Sequence, residues 1–299
     1  MKVIIPLAGL GTRLLPHTRR RQKCLLPVAG KPVLDHIIDP LVAQDFDEIV
    51  LVTGHLEDQL REYVNKFDAE FTFVRQEKAL GLGHAVFQGL KEDDDPVLIQ
   101  LGDVIYDLAF SRFCSSGEHK IAVDEVPDPE RFGIVEVEDE IITRVHEKPA
   151  NPPTNLAIVG LYYLESQQPL WKAIKHLMDR DITTKGEIQL ADAFQMMVES
   201  GEMITCERVS GWFDCGVSET FLSTNKALLS PCGREVKGSQ IVEPVSIGEN
   251  CNIVNSTVGP YVTLMRGSQI LNSEVSDAIV LWNGRVENTV VRHAIVAER

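Results

Sequence analysis

The chain has 299 residues, 44% of them hydrophobic and 24% charged, and 29 lysines and arginines against 44 aspartates and glutamates leave a net charge of −15. That balance excludes a general polyanion-coating protein, and the length allows two domains or one large one with a sizeable core. The charge is unevenly placed: residues 1 to 34 carry Lys2, Arg13, Arg19, Arg20, Arg21, Lys23 and Lys31 and no acidic side chain, while residues 35 to 235 come to −21. An acidic chain with one purely basic segment raises the question of which small anion that segment meets. The apolar run at Val3 to Leu7 is too short for a signal-peptide core, and no later stretch approaches the ~20 apolar residues of a membrane helix, so a cytoplasmic location is the expectation. Cys24, Cys114, Cys206, Cys215, Cys232 and Cys251 form no C-x-x-C and no metal-spaced Cys/His cluster, which predicts free thiols.

In chain order, β-branched runs predict strands at Val3 to Leu7, Glu48 to Thr53, Phe71 to Val74 and Val97 to Leu101. Between them, amphipathic patterns predict helices at Asp35 to Ala43, Leu56 to Phe67 and Gly83 to Leu90. Strands separated by helices of this length indicate βαβ units, a largely parallel sheet and helices on both faces. From about Lys120 the texture turns strand-rich, with Ile121 to Val126, Ile134 to Val137, Ile141 to Val145 and Ile158 to Leu164, before helices at Pro169 to Met178, Glu187 to Glu199 and Glu219 to Leu229. The expected architecture is an elaborated α/β domain over residues 1–232, extended by a lobe that covers substrate.

Residues 236–299 read differently. Asn255-Ser256-Thr257-Val258 is echoed by Asn272-Ser273-Glu274-Val275 and by Asn288-Thr289-Val290, at spacings of 17 and 16 residues. Apolar positions repeat in the same frame as Ile241, Val258, Val275, then Ile247, Leu264, Leu281, then Ile253, Ile270. Three apolar ridges per turn, with Gly and Asn at corners, predict a short left-handed parallel β-helix of hexapeptide type rather than an irregular antiparallel domain. So short a solenoid leaves an exposed end, which predicts packing against the first domain or another subunit.

The basic segment opens with Leu7-Ala8-Gly9-Leu10-Gly11-Thr12-Arg13-Leu14, directly after the first strand. Gly9 and Gly11 permit a tight turn whose N–H groups can face a phosphate. Position 14 is Leu and no Lys-Ser/Thr follows, so this is neither a dinucleotide fingerprint nor a P-loop. Arg13 and Lys23 place two permanent cations beside the loop; on the glycines alone, a tight turn with solvated charges explains it equally well.

The first block from Ala8 to Pro16, followed by Lys23-Cys24-Leu25-Leu26-Pro27-Val28 and Lys31-Pro32, resembles the sugar-1-phosphate nucleotidyltransferases, the NDP-sugar pyrophosphorylases. Further matches follow in family order: Gln76 with Gly81-Leu82-Gly83-His84, Leu101-Gly102-Asp103, Phe132-Gly133-Ile134-Val135, Glu147-Lys148-Pro149, Val159-Gly160-Leu161-Tyr162 and Trp212-Phe213-Asp214-Cys215-Gly216. The resemblance covers essentially the whole chain and is nearest to glucose-1-phosphate thymidylyltransferases and uridylyltransferases, including long forms with a β-helical tail. It departs from the family pattern at Leu10, where a second glycine is common, and at Gln22, where a proline precedes the lysine. Neither position supplies a reacting side chain.

The resemblance implies a Rossmann-like nucleotidyltransferase domain with a mixed central sheet. It also implies attack by a sugar-1-phosphate oxygen on the α-phosphorus of UTP or dTTP, giving an NDP-sugar and pyrophosphate. Such transfers depend on positioning and charge neutralisation. In this frame Ala8, Gly9, Gly11 and Thr12 cradle the triphosphate, Arg13 grips the departing pyrophosphate and Lys23 neutralises the α-phosphate. Gln76 and Gly81 meet the base edge. Asp103 and Asp214 resemble the pair that binds Mg²⁺, the implied cofactor. Gly133, Glu147, Lys148 and Gly160 take the sugar phosphate, glucose 1-phosphate in the nearest relatives' chemistry. Arg19 to Arg21 read as a solvated or phosphate-attracting cluster and His293 as a terminal surface residue. The expected partners are the two small substrates in a homo-oligomer, dimer or tetramer, with no nucleic acid and no membrane.

Three other readings share these motifs. A non-catalytic NDP-sugar-binding subunit would be expected to have lost Arg13, Lys23 or the aspartates, and all are present. A pyrophosphorylase for N-acetylglucosamine 1-phosphate or mannose 1-phosphate would carry the same loop. An additional acyltransferase in the tail needs a longer solenoid than about three coils.

Overall fold

The computed structural model describes residues 1–44, 46–114 and 117–298. Packing divides the chain into two compact units, Met1–Gly9 with Ile38–Trp212 and Leu10–Ile37 with Phe213–Arg299.

The first unit is built on a mixed sheet of β1 (Lys2–Pro6), β2 (Glu48–Thr53), β3 (Phe71–Arg75), β4 (Val97–Gln100), β5 (His119–Glu125), β6 (Gly133–Glu138), β7 (Ile141–Glu147), β8 (Leu156–Leu164) and β9 (Ile204–Arg208). Their order is β3-β2-β1-β4-β8-β5-β9-β7-β6, with β8 also touching β6. The first four are mutually parallel, as the alternating strand and helix pattern predicts. Beyond β4 the sheet becomes mixed: β8 runs antiparallel to β4 and β5, and β9 runs parallel to β5. Strands in the middle of a sheet covered on both faces read as continuous apolar runs, and β8, buried along its whole length, does so. A core of residues such as Ile4, Val50, Ile99, Ile121 and Leu170 covers the sheet. Within it the ring of Phe194 stacks on Tyr162 with centroids 5.0 Å apart.

The helices are α1 (Val33–Val42), α2 (Glu57–Val64), α3 (Leu82–Gly89), α4 (Gln168–Asp179), α5 (Leu190–Glu199) and, in the second unit, α6 (Ser218–Leu228). Two begin later than the amphipathic pattern predicts. Leu56 adopts a left-handed conformation (φ 59°), so α2 starts after it. The helix expected from Glu187 starts at Leu190, because Ile188 is committed elsewhere: its N–H donates to the Leu80 carbonyl (2.8 Å) and its carbonyl accepts from Gly83 N–H (2.9 Å).

The second unit carries the C-terminal coils. Their short strands pair in parallel along three rows: Gln240 with Thr257, Glu274 and Val290, then Val245 with Val262, Ala278 and Ala294, then Asn252 with Gln269 and Arg285. The coil period is therefore the one the sequence echoes imply. One ridge differs from expectation: Leu264 pairs with Val280, not Leu281. The reason lies at one corner. The stretch from Val258 to Val262 is one residue longer than that from Val275 to Ala278, so every later position slips by one. The third ridge continues from Ile253 and Ile270 to Val286. Asn255, Asn272 and Asn288 occupy left-handed corners (φ 47°, 47° and 51°), where asparagine is tolerated, and their side-chain amides hydrogen-bond in a ladder at 3.1 and 3.2 Å. The coils bury Val245, Val258, Val262, Leu264, Ile270 and Val275 among their own core.

Within this unit the coils pack on the N-terminal basic segment and on α6. The side-chain oxygen of Asn225 on α6 accepts from Ala29 N–H (2.9 Å) and from the Thr263 hydroxyl (2.7 Å), and its amide donates to the Tyr261 carbonyl (3.3 Å). His293, expected as a plain surface residue, bridges Asp277 (2.6 Å) and Glu219 of α6 (2.8 Å). All six cysteines are free thiols. Among the described residues no helix is long and apolar enough to cross a membrane.

Candidate active site

In an open parallel sheet, ligands collect at the carboxyl ends of the strands, where the loops diverge. The first unit places a large share of the predicted residues there. Ala8 and Gly9 follow β1, Gln76 follows β3, and Gly102-Asp103 follow β4 by way of Leu101. The edge continues into the antiparallel half through backbone pairing. Leu101 N–H donates to the Gly160 carbonyl (2.9 Å), Ala157 of the same strand pairs with Ile134, and Gly133 sits opposite Glu147.

Gly160 is left-handed (φ 90°), and a Cβ there would meet the Leu101 side chain at 2.7 Å, so glycine is what lets β8 lie so close to the end of β4. Glu147 is nearly buried, with its side chain 8% exposed, and its Oε1 lies 2.8 Å from Nζ of Lys148. Lys148 itself has φ 43°, an uncommon conformation for a side chain of this type, and is fixed there by its N–H to Phe132 O (3.1 Å) and by Nζ of Lys185 on its own carbonyl (2.9 Å). A carboxylate and an ammonium are thus held side by side next to Gly133, where a Cβ would stand 3.7 Å from Oε2 of Glu147.

The amide of Gln76 is buried and oriented. Its Nε2 donates to the Gly81 carbonyl (3.2 Å) and to Nδ1 of His84 (2.8 Å), and its own N–H donates to Thr53 O (2.8 Å). With the amide nitrogen committed to those two acceptors, Oε1 is the part of the group that can accept from a ligand. Burial lowers the His84 pKa below its ordinary 6.5, which favours the neutral ring, the form that can offer Nδ1 as an acceptor.

The second unit holds the other group. Gly11 is left-handed (φ 63°) and opens a short 3-10 turn, Thr12–Leu14, in which Thr12 and Arg13 are exposed. Its carbonyl accepts from the Thr18 hydroxyl (2.8 Å), and a Cβ in its place would lie 2.9 Å from Thr18 Cγ2 and 3.2 Å from Lys23 Cβ. Gly11 therefore brings Lys23 against the loop, as its basic neighbourhood predicts. Lys23 starts another 3-10 turn, capped by Gln22, whose buried Oε1 accepts the Lys23 N–H at 2.5 Å. The residue that departs from the family pattern thus pins the lysine. Asp214 is partly buried; its Oδ1 accepts from Gly216 N–H (2.6 Å) and its carbonyl from the Thr224 hydroxyl (2.8 Å).

The two aspartates offer hard oxygen donors. Among the described residues no cluster of three or more His, Cys, Asp or Glu could hold a metal. Each aspartate by itself suits Mg²⁺, which keeps several waters and takes one or two carboxylates beside substrate phosphates, and does not suit a zinc or calcium cage. Sequence reasoning passed over Thr18, His84 and Lys185. Of these only His84 carried a signal, since it lies inside the matched Gly81-Leu82-Gly83-His84 motif.

A sheet edge that gathers an oriented amide, a carboxylate and a paired lysine, in a chain with a glycine loop flanked by cations, defines an α/β protein with a polar cluster at its strand ends, where open sheets bind ligands. Residues 2–230 match the Nucleotidyl transferase family, and the chain belongs to it, among the sugar-1-phosphate nucleotidyltransferases. It is 30% identical to a glucose-1-phosphate thymidylyltransferase of Streptomyces griseus, over 94% of this chain and 87% of that protein. It is 34% identical to the bifunctional protein GlmU of Methanococcus maripaludis over 86% of this chain, and spans only 61% of that relative's length. Among solved structures it is similar to a UDP-glucose pyrophosphorylase from Acinetobacter baumanii, at 26% identity and a TM-score of 0.60, covering 76% of this chain and 92% of that one.

Proposed function

We propose that the protein joins UTP or dTTP to a sugar 1-phosphate, with glucose 1-phosphate the preferred sugar, releasing an NDP-sugar and pyrophosphate. The observation that carries this reading is the Glu147–Lys148 pair beside Gly133, on the same sheet edge as Gln76 and Asp103. Glu147 accepts hydrogen bonds from sugar hydroxyls while Lys148 takes the phosphate, with Gly133 and Gly160 giving backbone room. Gln76, through Oε1, accepts the imide N–H that uracil and thymine share, and Gly81 leaves space for the ring. Ala8, Gly9, Gly11 and Thr12 present backbone and hydroxyl donors to the triphosphate. Arg13 holds the β- and γ-phosphates with its fork of donors, and Lys23 neutralises charge at the α-phosphate. The attacking and leaving groups are both anions, so charge neutralisation is the largest contribution the chain makes. Asp103 and Asp214 would hold Mg²⁺, which supplies Lewis-acid neutralisation of the phosphate oxygens when bound.

In the same reading residues 1–232 form the catalytic domain and residues 236–299 a left-handed β-helix, within a homo-oligomer. Six free thiols suit a reducing compartment such as the cytoplasm. The test is pyrophosphate release from purified protein with Mg²⁺, each nucleoside triphosphate and glucose, N-acetylglucosamine or mannose 1-phosphate. Release with UTP or dTTP and glucose 1-phosphate is expected, and Lys23→Ala or Asp103→Ala should lower it by about 100-fold or more. Silence with every pair would overturn the reaction and favour a binding subunit.

A further inference from the structure

Lys23 lies on a segment whose two ends are both tied to the C-terminal coils. At one end the guanidinium of Arg21 stands 3.9 Å above the Trp282 ring and its Nη2 donates to both carboxylate oxygens of Glu298, each at 2.9 Å. At the other, Ala29 N–H donates to the Asn225 oxygen that also accepts from Thr263 of the coils. Gly30 lies against Ser246, where an added Cβ would stand 3.2 Å from the serine Cβ.

These ties differ in character. The Asn225 link is a buried relay at a strand-like turn, whereas the Arg21 link is a partly exposed cation held by an aromatic face and one carboxylate, with side-chain exposures of 27% for Arg21 and 38% for Glu298. Nε of Arg21 is buried with no acceptor among the described residues, so Glu298 and the Trp282 face carry the compensation for that charge. Arg21 is adjacent to Gln22, whose side chain caps the turn of Lys23. A shift of Arg21 therefore reaches the Lys23 backbone through one peptide unit and one 2.5 Å hydrogen bond.

We propose that Trp282 and Glu298 of the last coil, acting through Arg21, are positioning residues for Lys23, so that the end of the coil stack sets the place of the cation at the α-phosphate. This rests on the nucleotidyl transfer proposed above and goes beyond it: the coils become part of the catalytic apparatus and not a passive appendage. Geometry of this kind weighs heavily, since a displacement of about 1 Å can cost roughly 100-fold in rate.

The test compares full-length Trp282→Ala, Trp282→Phe, Glu298→Gln and Asn272→Ala, the last breaking the amide ladder of the same coils away from Arg21. Two readouts are taken: kcat and KM for pyrophosphate release, and the rate at which an amine-reactive acetyl ester labels Lys23, followed by peptide mass spectrometry. Trp282→Ala and Glu298→Gln are expected to lower kcat about 10-fold, as for half of that displacement, leave the sugar-phosphate KM within about twofold, and change the Lys23 labelling rate by about threefold or more. Trp282→Phe, which keeps an aromatic face, should retain kcat within about twofold, and Asn272→Ala should match the unaltered protein in both readouts. Unchanged kcat and labelling in both Trp282→Ala and Glu298→Gln would overturn the proposal, as would an equal loss in Asn272→Ala. Should the unaltered protein release no pyrophosphate with any substrate pair, the reaction itself is refuted, and the labelling rates alone decide whether the clamp places Lys23.

Discussion

Replacing Gly81 by alanine should both destabilise the first unit and weaken nucleotide binding. Gly81 has φ 114° and ψ 176°, a region essentially restricted to glycine, so any side chain there costs about 1–3 kcal/mol in backbone strain. The new Cβ would also stand 2.6 Å from the carbonyl oxygen and 2.8 Å from the nitrogen of Ile188, backbone atoms that cannot rotate away. Relief requires moving Ile188, which breaks its bonds to Leu80 and Gly83, about 1 kcal/mol each. The total is ~4 kcal/mol, a melting-temperature drop of roughly 10 °C for a unit of this size. Because Gln76 Nε2 donates to the Gly81 carbonyl, the shift also turns the amide proposed to meet the base, and on that proposal KM for the nucleotide should rise more than kcat falls. Gly186→Ala is the comparison: it too has positive φ (80°) but nothing lies within 4 Å of the added Cβ, so it should cost only about 1–2 kcal/mol. Thermal unfolding followed by the fluorescence of Trp171, which stacks on Phe87 of α3 with centroids 5.5 Å apart, reads the affected region directly. Equal melting temperatures for the two variants would refute the clash with Ile188 as the governing effect.

Phe194→Ala removes a fully buried ring from its stack on Tyr162 and should destabilise by about 3–5 kcal/mol in urea unfolding; a loss below about 1 kcal/mol would mean the core closes over the gap. His84 is kept neutral by burial, its pKa lying below the ordinary 6.5, so it favours folding above that pH and the contribution is lost as pH falls from 6.5 through the folded value. Protonation also removes the acceptor of Gln76, and nucleotide KM should rise over the same acid range, whereas His84→Asn should flatten that rise. His293 behaves in the opposite sense. Hydrogen bonds to Asp277 and then Glu219 raise its pKa, so the stabilisation is complete below 6.5 and disappears as pH rises through the folded value. The melting difference between the unaltered protein and His293→Gln should therefore shrink from pH 6 toward alkaline pH, and a constant difference would contradict the paired imidazolium.

Local pattern is enough for the inner strands of the parallel half of the sheet because they are buried nearly along their length and read as apolar runs. Glu48–Thr53 is the same from sequence and structure for that reason. The strand Ile204–Arg208 escaped notice: with Thr205, Glu207 and Arg208 among its five residues it has little apolar character, and it is a strand because β5 supplies a parallel partner from Ile204 to Arg208. The start of α5 was misplaced because Ile188 is taken by hydrogen bonds to Leu80 and Gly83, distant residues that no window around position 188 contains. The coil period was plain in the asparagine echoes, yet the slip from Leu281 to Val280 was not, since a corner one residue longer shifts the ridge without altering its apolar appearance. At the site, residue types announced themselves where charge and glycine coincide, as at Gly11, Arg13 and Lys23. The neighbours that orient them, Thr18 and Gln22, are ordinary polar residues whose role exists only once the loop is folded.

The acid-free first segment shows the same difference between composition and use. Seven cations there look alike in a charge count, but the fold separates them. Lys2 is half-buried at the start of β1, its Nζ donating to the Gly89 carbonyl (2.8 Å), and burial lowers its pKa; its ammonium is thus tied to the end of α3. Arg21 is engaged by Trp282 and Glu298, a carboxylate from the far end of the chain, so an apparent phosphate attractor is an internal tie. Arg13 stays exposed on its turn and Lys23 is held beside the loop by Gly11 and Gln22. Acidic residues are absent from the segment itself; the Glu298 carboxylate reaches it from the last coil and pairs with Arg21, two residues from Lys23, and the Asp47 carboxylate pairs with the Met1 amino group. A net charge of −15 over the whole chain is then compatible with binding a triphosphate, because charges beyond a Debye length of about 10 Å are screened while the few cations at the loop are not.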